Sequence, residues 1–260
     1  MNLSNNTILI TGGASGIGLE LAKQLSRHGN KIIVTGRDAT KLQKAKQDLP
    51  AIQTIQSDVG NVKEIEALYS RITKDFPDMN FLINNAGISR RINLHAPEWS
   101  LEELTREIET NLSGPVRMTA KFLPHLKSKP TAAVMNVSSA LAFVPFPLSP
   151  VYSATKAALH SFTLSLRVQL KNTKTKVFEL APPATQTERL INVDPEDLKG
   201  VPIMKVEDMV KDAVKGLQND QFEIRPGQAN QLKFMSRLAP EFILKQLSKP
   251  VDRMLAQTRN

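Results

Sequence analysis

The chain has 260 residues, 41% of them hydrophobic, enough for one full core, and no cysteine, which excludes a disulfide framework and thiolate metal ligands. Its 34 lysines and arginines against 25 acids give a formal charge of +9 and favour anionic partners, a phosphorylated cofactor among them. The absence of a basic run and of zinc-finger spacing, with only 5% aromatics, argues against nucleic acid, and no stretch approaches the roughly 18 apolar residues of a membrane span, so the expectation is a soluble, cytoplasmic protein.

Thr7 to Thr11 reads as a short apolar strand running into Thr11-Gly12-Gly13-Ala14-Ser15-Gly16-Ile17-Gly18, after which Ile17, Leu21 and Leu25 repeat at helical spacing. A glycine turn between strand and helix lets backbone approach a pyrophosphate, whose charge the helix N-terminus favours. Gly12, Ser15, Gly16, Ile17 and Gly18 are therefore candidate cofactor contacts. A second strand, Lys31 to Thr35, ends in Gly36-Arg37-Asp38. Folds that take NAD carry a carboxylate here; Gly36 stands in its place and Arg37 follows, so a guanidinium is available for a 2'-phosphate and NADP(H) is favoured over NAD(H). Asp38 either pairs with Arg37 or lies near the ribose, and a purely structural surface arginine is the alternative.

Further strands are expected at Ile52 to Gln56, Asn80 to Asn84, Ala132 to Val137, Lys176 to Leu180 and Phe222 to Arg225, with helices between them, including stretches around Leu101 to Leu126 and Val151 to Leu170. That alternation predicts an α/β fold: a doubly wound, Rossmann-like parallel sheet of about seven strands with helices on both faces, in one domain over residues 1–227. Residues 184–204, rich in proline, threonine and acids, read as a lid over the pocket or as an ordinary surface loop. Residues 228–260 form a basic amphipathic tail, with Leu232, Met235, Leu238, Phe242, Leu244, Leu247, Val251, Met254 and Leu255 among six basic and two acidic residues. It is expected to pack on the domain or a sister subunit, or to lie on an anionic membrane surface.

Tyr152 and Lys156 stand four apart in Tyr-Ser-Ala-Thr-Lys, on one helix face, with Ser139 thirteen residues upstream. A phenol beside an ammonium releases its proton more readily than a free one, and with a dinucleotide cradle this points to hydride transfer coupled to proton transfer at a carbonyl or alcohol. The apolar stretch from Ala140 to Val151 holds three prolines and suggests an apolar small-molecule substrate, unless Phe143 and Phe146 simply pack inward. Arg90 and Arg91 either attract an anionic group or are solvated. His28, His95, His125 and His160 show no ligand spacing, so no metal is expected.

These motifs, in this order, resemble the short-chain dehydrogenase/reductase family from about Thr7 to Thr187. The resemblance matches the glycine turn, Asp58-Val59 as the adenine contact, Asn84-Asn85-Ala86-Gly87, Asn111 in Asn-Leu-Ser-Gly, Ser139, and Tyr152 with Lys156. It implies Tyr152 as general acid, Ser139 holding the substrate oxygen, Lys156 holding the nicotinamide ribose, and Asn111 supporting a water chain to Lys156. Asp58, Val59, Asn85, Ala86, Gly87, Pro182 and Thr187 join the cofactor contacts, although Asp58 can instead cap the helix starting near Asn61. Ser138 reads as a backbone-bonding neighbour. Where the family has Pro-Gly, this chain has Pro182-Pro183, which removes a backbone donor. The Ala-Pro-Pro form and Ala154 to Phe162 are similar to a bacterial oxidoreductase subgroup. The family further implies a homodimer or homotetramer. The rival expectations are an NADP-binding regulatory protein without useful catalysis, and a membrane-surface accessory oxidoreductase linked to the cell envelope.

Overall fold

The structure is a computed structural model and describes residues 1–95, 99–191 and 195–257. Its elements are β1 (Thr7–Thr11), α1 (Gly16–Ser26), β2 (Lys31–Gly36), α2 (Ala39–Asp48), β3 (Gln53–Gln56), α3 (Val62–Asp75), β4 (Met79–Asn84), α4 (Leu101–Ile108), a π turn (Glu109–Ser113) and α5 (Gly114–Lys127). There follow β5 (Ala132–Val137), α6 (Pro150–Gln169), β6 (Thr175–Leu180), α7 (Glu188–Ile191), α8 (Val206–Gln218), β7 (Glu223–Ile224), α9 (Ala229–Leu238) and α10 (Pro240–Gln257). The strands form one seven-stranded sheet in the order β3-β2-β1-β4-β5-β6-β7, parallel throughout.

Alternation along buried strands builds two cores from the same residues, because successive side chains face opposite sides of a sheet. Ile8 and Ile10 of β1 join Phe81 and Ile83 of β4, Phe178 and Leu180 of β6, and Leu21, Leu25, Met209 and Leu217 of α1 and α8. Leu9, Leu82, Val134 and Val177 face the other way, onto Ile65, Leu68, Met118, Phe122 and Leu166 of α3, α5 and α6. Both faces are thus covered by helix, as the sequence predicts.

Three details go beyond what the sequence specifies. The last strand is two residues long, and Phe222 beside it stacks on Phe178 with ring centroids 5.3 Å apart. The helix foreseen around Leu101 to Leu126 is α4 and α5 joined by the π turn, which carries Asn111. The tail is two helices whose apolar stripe is only partly covered: Met254 is buried, whereas Leu238, Phe242 and Leu244 are exposed, as is Phe234.

The segment foreseen as a lid is closed at its base. Thr185 bridges to Met204, with Met204 N–H on Ala184 O at 2.9 Å and Gln186 N–H on Met204 O at 2.8 Å. Residues 192–194 of that segment lie outside the described residues. Strand order reverses between β1 and β4, and in doubly wound sheets the crevice beyond the carboxyl ends of such strands is where ligands bind.

Candidate active site

At that crevice the glycine turn and the loop after β4 are locked together. Asn85 Nδ2 donates to Thr11 O (3.0 Å) and Gly12 O (2.9 Å), while the Thr11 hydroxyl accepts from the N–H groups of Asn85 (3.0 Å) and Ala86 (3.1 Å). The contact demands bare backbone. A Cβ at Gly12, whose φ is +62°, would lie 2.7 Å from Ala86 Cα, and one at Gly18 would lie 2.4 Å from Gly12 O and 2.5 Å from Asn85 Nδ2.

Ser15, the residue before α1, makes no side-chain capping bond, so the first amides of α1 have no side-chain cap. Bare glycines, uncapped amides and a helix N-terminus fit a pyrophosphate. Thr187 lies over the same turn, its methyl 3.4 Å from where a Gly16 Cβ would stand.

The end of β2 gives Asp38 and Asp58 distinct partners. Asp38 caps α2 by accepting from Lys41 N–H at 3.0 Å. Arg37 instead lies 3.7 Å from Asp58, whose other oxygen accepts from Gly60 N–H at 2.8 Å; the cap of α3 is Asn61. Val59 is buried against Gly114. Lys41 reaches across to Glu188 of α7 at 2.6 Å.

The β5 and β6 ladder continues past the strands, with Ser138 N–H on Leu180 O and Ala140 N–H on Pro182 O, both at 2.8 Å. Pro182 therefore anchors through its carbonyl, and Pro183 O accepts from the Thr185 hydroxyl at 2.9 Å. Ser139 stands between these bonds in extended backbone, its oxygen accepting from Leu141 N–H at 3.1 Å. On α6, Lys156 is buried, donates to Val137 O at 2.8 Å, and holds its ammonium 5.6 Å from the centre of the Tyr152 ring. The Asn111 carboxamide is bonded to Ile88 N–H (2.8 Å), Ile88 O (2.8 Å) and the Thr155 hydroxyl (3.2 Å), so its side chain pins the loop after Gly87 to α6.

Two arginines nearby behave otherwise than their sequence suggests. Arg90 and Arg91 are ion-paired, Arg90 with Glu103 (2.9 Å) and the buried Glu107 (3.8 Å) and Arg91 with Asp197 (3.1 Å), which also binds Arg253 of α10 at 2.6 Å. Phe143 packs edge-on against His160 at 5.1 Å and lies under the Lys233 ammonium of α9 at 4.9 Å.

Ser138 bonds chiefly to a carboxylate, that of the fully buried Glu179, at 2.5 Å. Glu179 also holds His160 Nδ1 at 2.7 Å, and the ligand-type atoms of His160, Glu179 and Glu223 lie within 4.8 Å of one another. Glu223 is paired with Arg225 and Lys233. Burial raises its pKa, but the cations, Lys233 foremost, outweigh that and hold it below the ordinary carboxylate value. Glu179, Glu223 and Lys233 were not singled out from the sequence, and Thr11 was read only as the first residue of the glycine turn, not as the hydroxyl that locks it to the loop after β4.

A doubly wound sheet with a bare glycine cradle at its switch point, and a serine, tyrosine and lysine gathered at the end of β5, defines the class of dinucleotide-dependent oxidoreductases. A family model described as short chain dehydrogenase matches residues 6–197, and the chain belongs to that family of oxidoreductases. It is 42% identical over 250 residues, 95% of this chain and 98% of the relative, to the "Uncharacterized oxidoreductase DltE" of Bacillus subtilis (strain 168). Over 176 residues, 67% of this chain and 71% of the relative, it is 32% identical to the "NADP-dependent 3-hydroxy acid dehydrogenase YdfG" of Salmonella typhi. A short chain dehydrogenase from Burkholderia cenocepacia J2315, solved in complex with NADP, superposes with a TM-score of 0.81 at 27% identity, covering 95% of this chain and 99% of that one.

Proposed function

We propose that the chain is an NADP(H)-dependent oxidoreductase that interconverts an apolar carbonyl and its secondary alcohol, with Tyr152 as general acid and base. The observation that carries this reading is the buried Lys156 ammonium beside the Tyr152 ring, on the helix face that grips Val137 O two residues before Ser139. When bound, the nicotinamide supplies or accepts the hydride. Ser139 Oγ donates to the substrate oxygen and Tyr152 delivers the proton to the same atom, while the Lys156 charge favours the ionised phenol left behind. Lys156 also holds the nicotinamide ribose. Gly12, Ser15, Gly16, Ile17 and Gly18 receive the pyrophosphate, with Thr187 above them, and Asp58 and Val59 meet the adenine.

Arg37 supports NADP(H) over NAD(H); a relative and a solved neighbour are named with NADP, and another neighbour, a reductase from Brucella melitensis, with NADH. Ala142, Val144 and Leu148, all buried in the loop before α6, favour an apolar substrate. A homodimer or homotetramer through α4 and α6 is supported by their exposed Leu101, Ile108, Leu164 and Val168. The second reading, an accessory enzyme on an anionic membrane surface in the cytoplasm, rests on exposed Phe234, Leu238 and Phe242 interleaved with Arg237, Lys245 and Lys249. Among the described residues no helix is long and apolar enough to cross a membrane.

Tyr152→Phe tests the proposal. Turnover of NADPH with a panel of aldehydes, ketones and quinones is expected to fall by about 10²-fold or more, with NADPH binding retained. Undiminished turnover would refute the role of Tyr152. Tight NADPH binding with no turnover of any panel member by the unaltered protein would favour a regulatory protein instead.

A further inference from the structure

Helix α6 grips the end of β5 twice. Lys156 holds Val137 O directly, and one turn further on His160 holds Glu179, which in turn holds the Ser138 hydroxyl. Tyr152, Lys156 and His160 lie at successive four-residue steps on one helix face, so the two grips and the phenol share one rigid element. Ser139 belongs to the other element, on backbone held at Ser138 and Ala140.

We propose that His160 and Glu179 are positioning residues for the reaction: by fixing Ser138 they fix the backbone that carries Ser139 relative to the helix that carries Tyr152. This rests on the reading of Ser139, Tyr152 and Lys156 given above. Two groups that act on one substrate oxygen must both reach it within hydrogen-bond distance, and they come from elements joined by a proline-rich loop. The Lys156 grip draws on the ammonium that the ribose also needs. The Glu179 grip is independent of the cofactor, being formed entirely by side chains on β6, α6 and the end of β5.

Its surroundings keep it in place. Glu179 is wholly buried, and two side chains bracket its carboxylate. The His160 ring is backed by Phe143, and Phe143 by Lys233. His160 Nδ1 donates to Glu179 and Ser138 Oγ donates to the other carboxylate oxygen, so the orientation of each group is set by the next. The spatial cluster of His160, Glu179 and Glu223 is already occupied by Ser138, Lys233 and Arg225, which makes it a side-chain network and not a cation site.

The experiment compares the unaltered protein with Ser138→Ala, His160→Leu and His160→Asn, each by NADPH titration and by steady-state reduction of phenanthrenequinone. Asparagine places an amide N–H near the position of Nδ1. Ser138→Ala and His160→Leu are expected to lower kcat by about 10²-fold, as a misplacement of about an ångström does, with NADPH affinity and quinone KM within about twofold. His160→Asn is expected to recover most of that loss.

Unchanged kcat in both Ser138→Ala and His160→Leu overturns the proposal and leaves the reading of the site intact. Loss of NADPH binding alongside turnover in both also overturns it, because the network then only maintains the fold. If the unaltered protein binds NADPH and does not reduce the quinone, the reading of the site fails for this substrate class and the positioning role falls with it.

Discussion

At the scale of single residues, Arg37 carries the proposed preference for NADP(H). Its partner Asp58 is 3.7 Å away and both side chains are substantially exposed, so the pair contributes little and leaves the guanidinium available to a stronger anion. A phosphate forms charge-assisted bonds that a ribose hydroxyl does not. Arg37→Ala is therefore expected to weaken NADPH binding about tenfold while leaving NADH binding nearly unchanged, as read by parallel fluorescence titrations. Equal losses for both cofactors would remove Arg37 from the argument. The glycines, Ser139, Tyr152 and Lys156 were legible because each belongs to a short motif whose spacing is itself the signal. Glu179 was not legible. It is one acid in an apolar strand, and its partners lie 41 residues back at Ser138 and 19 back at His160, a proximity that only the folded sheet creates.

At the scale of elements, strands and helices were readable where apolar periodicity runs uninterrupted, as in β1 and α1. The tail was readable as amphipathic, but its destination was not, since an apolar stripe does not name what covers it. Part of the answer is the loop after β5: Lys233 of α9 lies over Phe143 and pairs with Glu223, and Arg253 of α10 joins Arg91 on Asp197. The tail thus braces the wall expected to face the substrate. Lys233→Ala leaves Glu223 with Arg225 and uncovers Phe143, so a loss of about 1–2 kcal/mol in denaturant unfolding is expected, together with a rise in carbonyl KM and little change in NADPH affinity. A variant as stable as the parent with the same KM would show that α9 is a bystander.

Across the whole molecule, the parallel sheet and its two-sided core followed from alternating strand and helix signals, because parallel strands need crossovers that cover both faces. Acid stability is a property of the same whole. Burial, with Lys129 adding to it, lowers the pKa of His125 below its ordinary 6.5, against a smaller opposing effect of its bond to Met79 O. Below about pH 6.5 the unfolded chain therefore takes up a proton that the folded chain refuses, and stability falls with falling pH. Asp220, held low by Lys176, and Glu223, held low despite burial by Lys233 and Arg225, act in a second window. Their contribution is complete above the ordinary carboxylate range and is lost as pH drops through it toward their folded values. Melting temperature measured from pH 8 to pH 3 is expected to decline in two stages, the first absent in His125→Gln; a flat profile down to pH 5 in the parent would contradict the first stage.

The π turn at Glu109–Ser113 has a consequence for how the chain can change length. Such a turn is an α-helix that takes up a surplus residue in one widened turn, so the helical segments on either side keep their phase. Asn111, inside the turn, clasps both backbone groups of Ile88, whereas Leu101 and Ile108 on α4 face outward. One surplus amino acid is therefore absorbed where Asn111 reaches Ile88, and a single-residue deletion there would leave a regular helix with α4 and α5 still in phase while disturbing the clasp on Ile88.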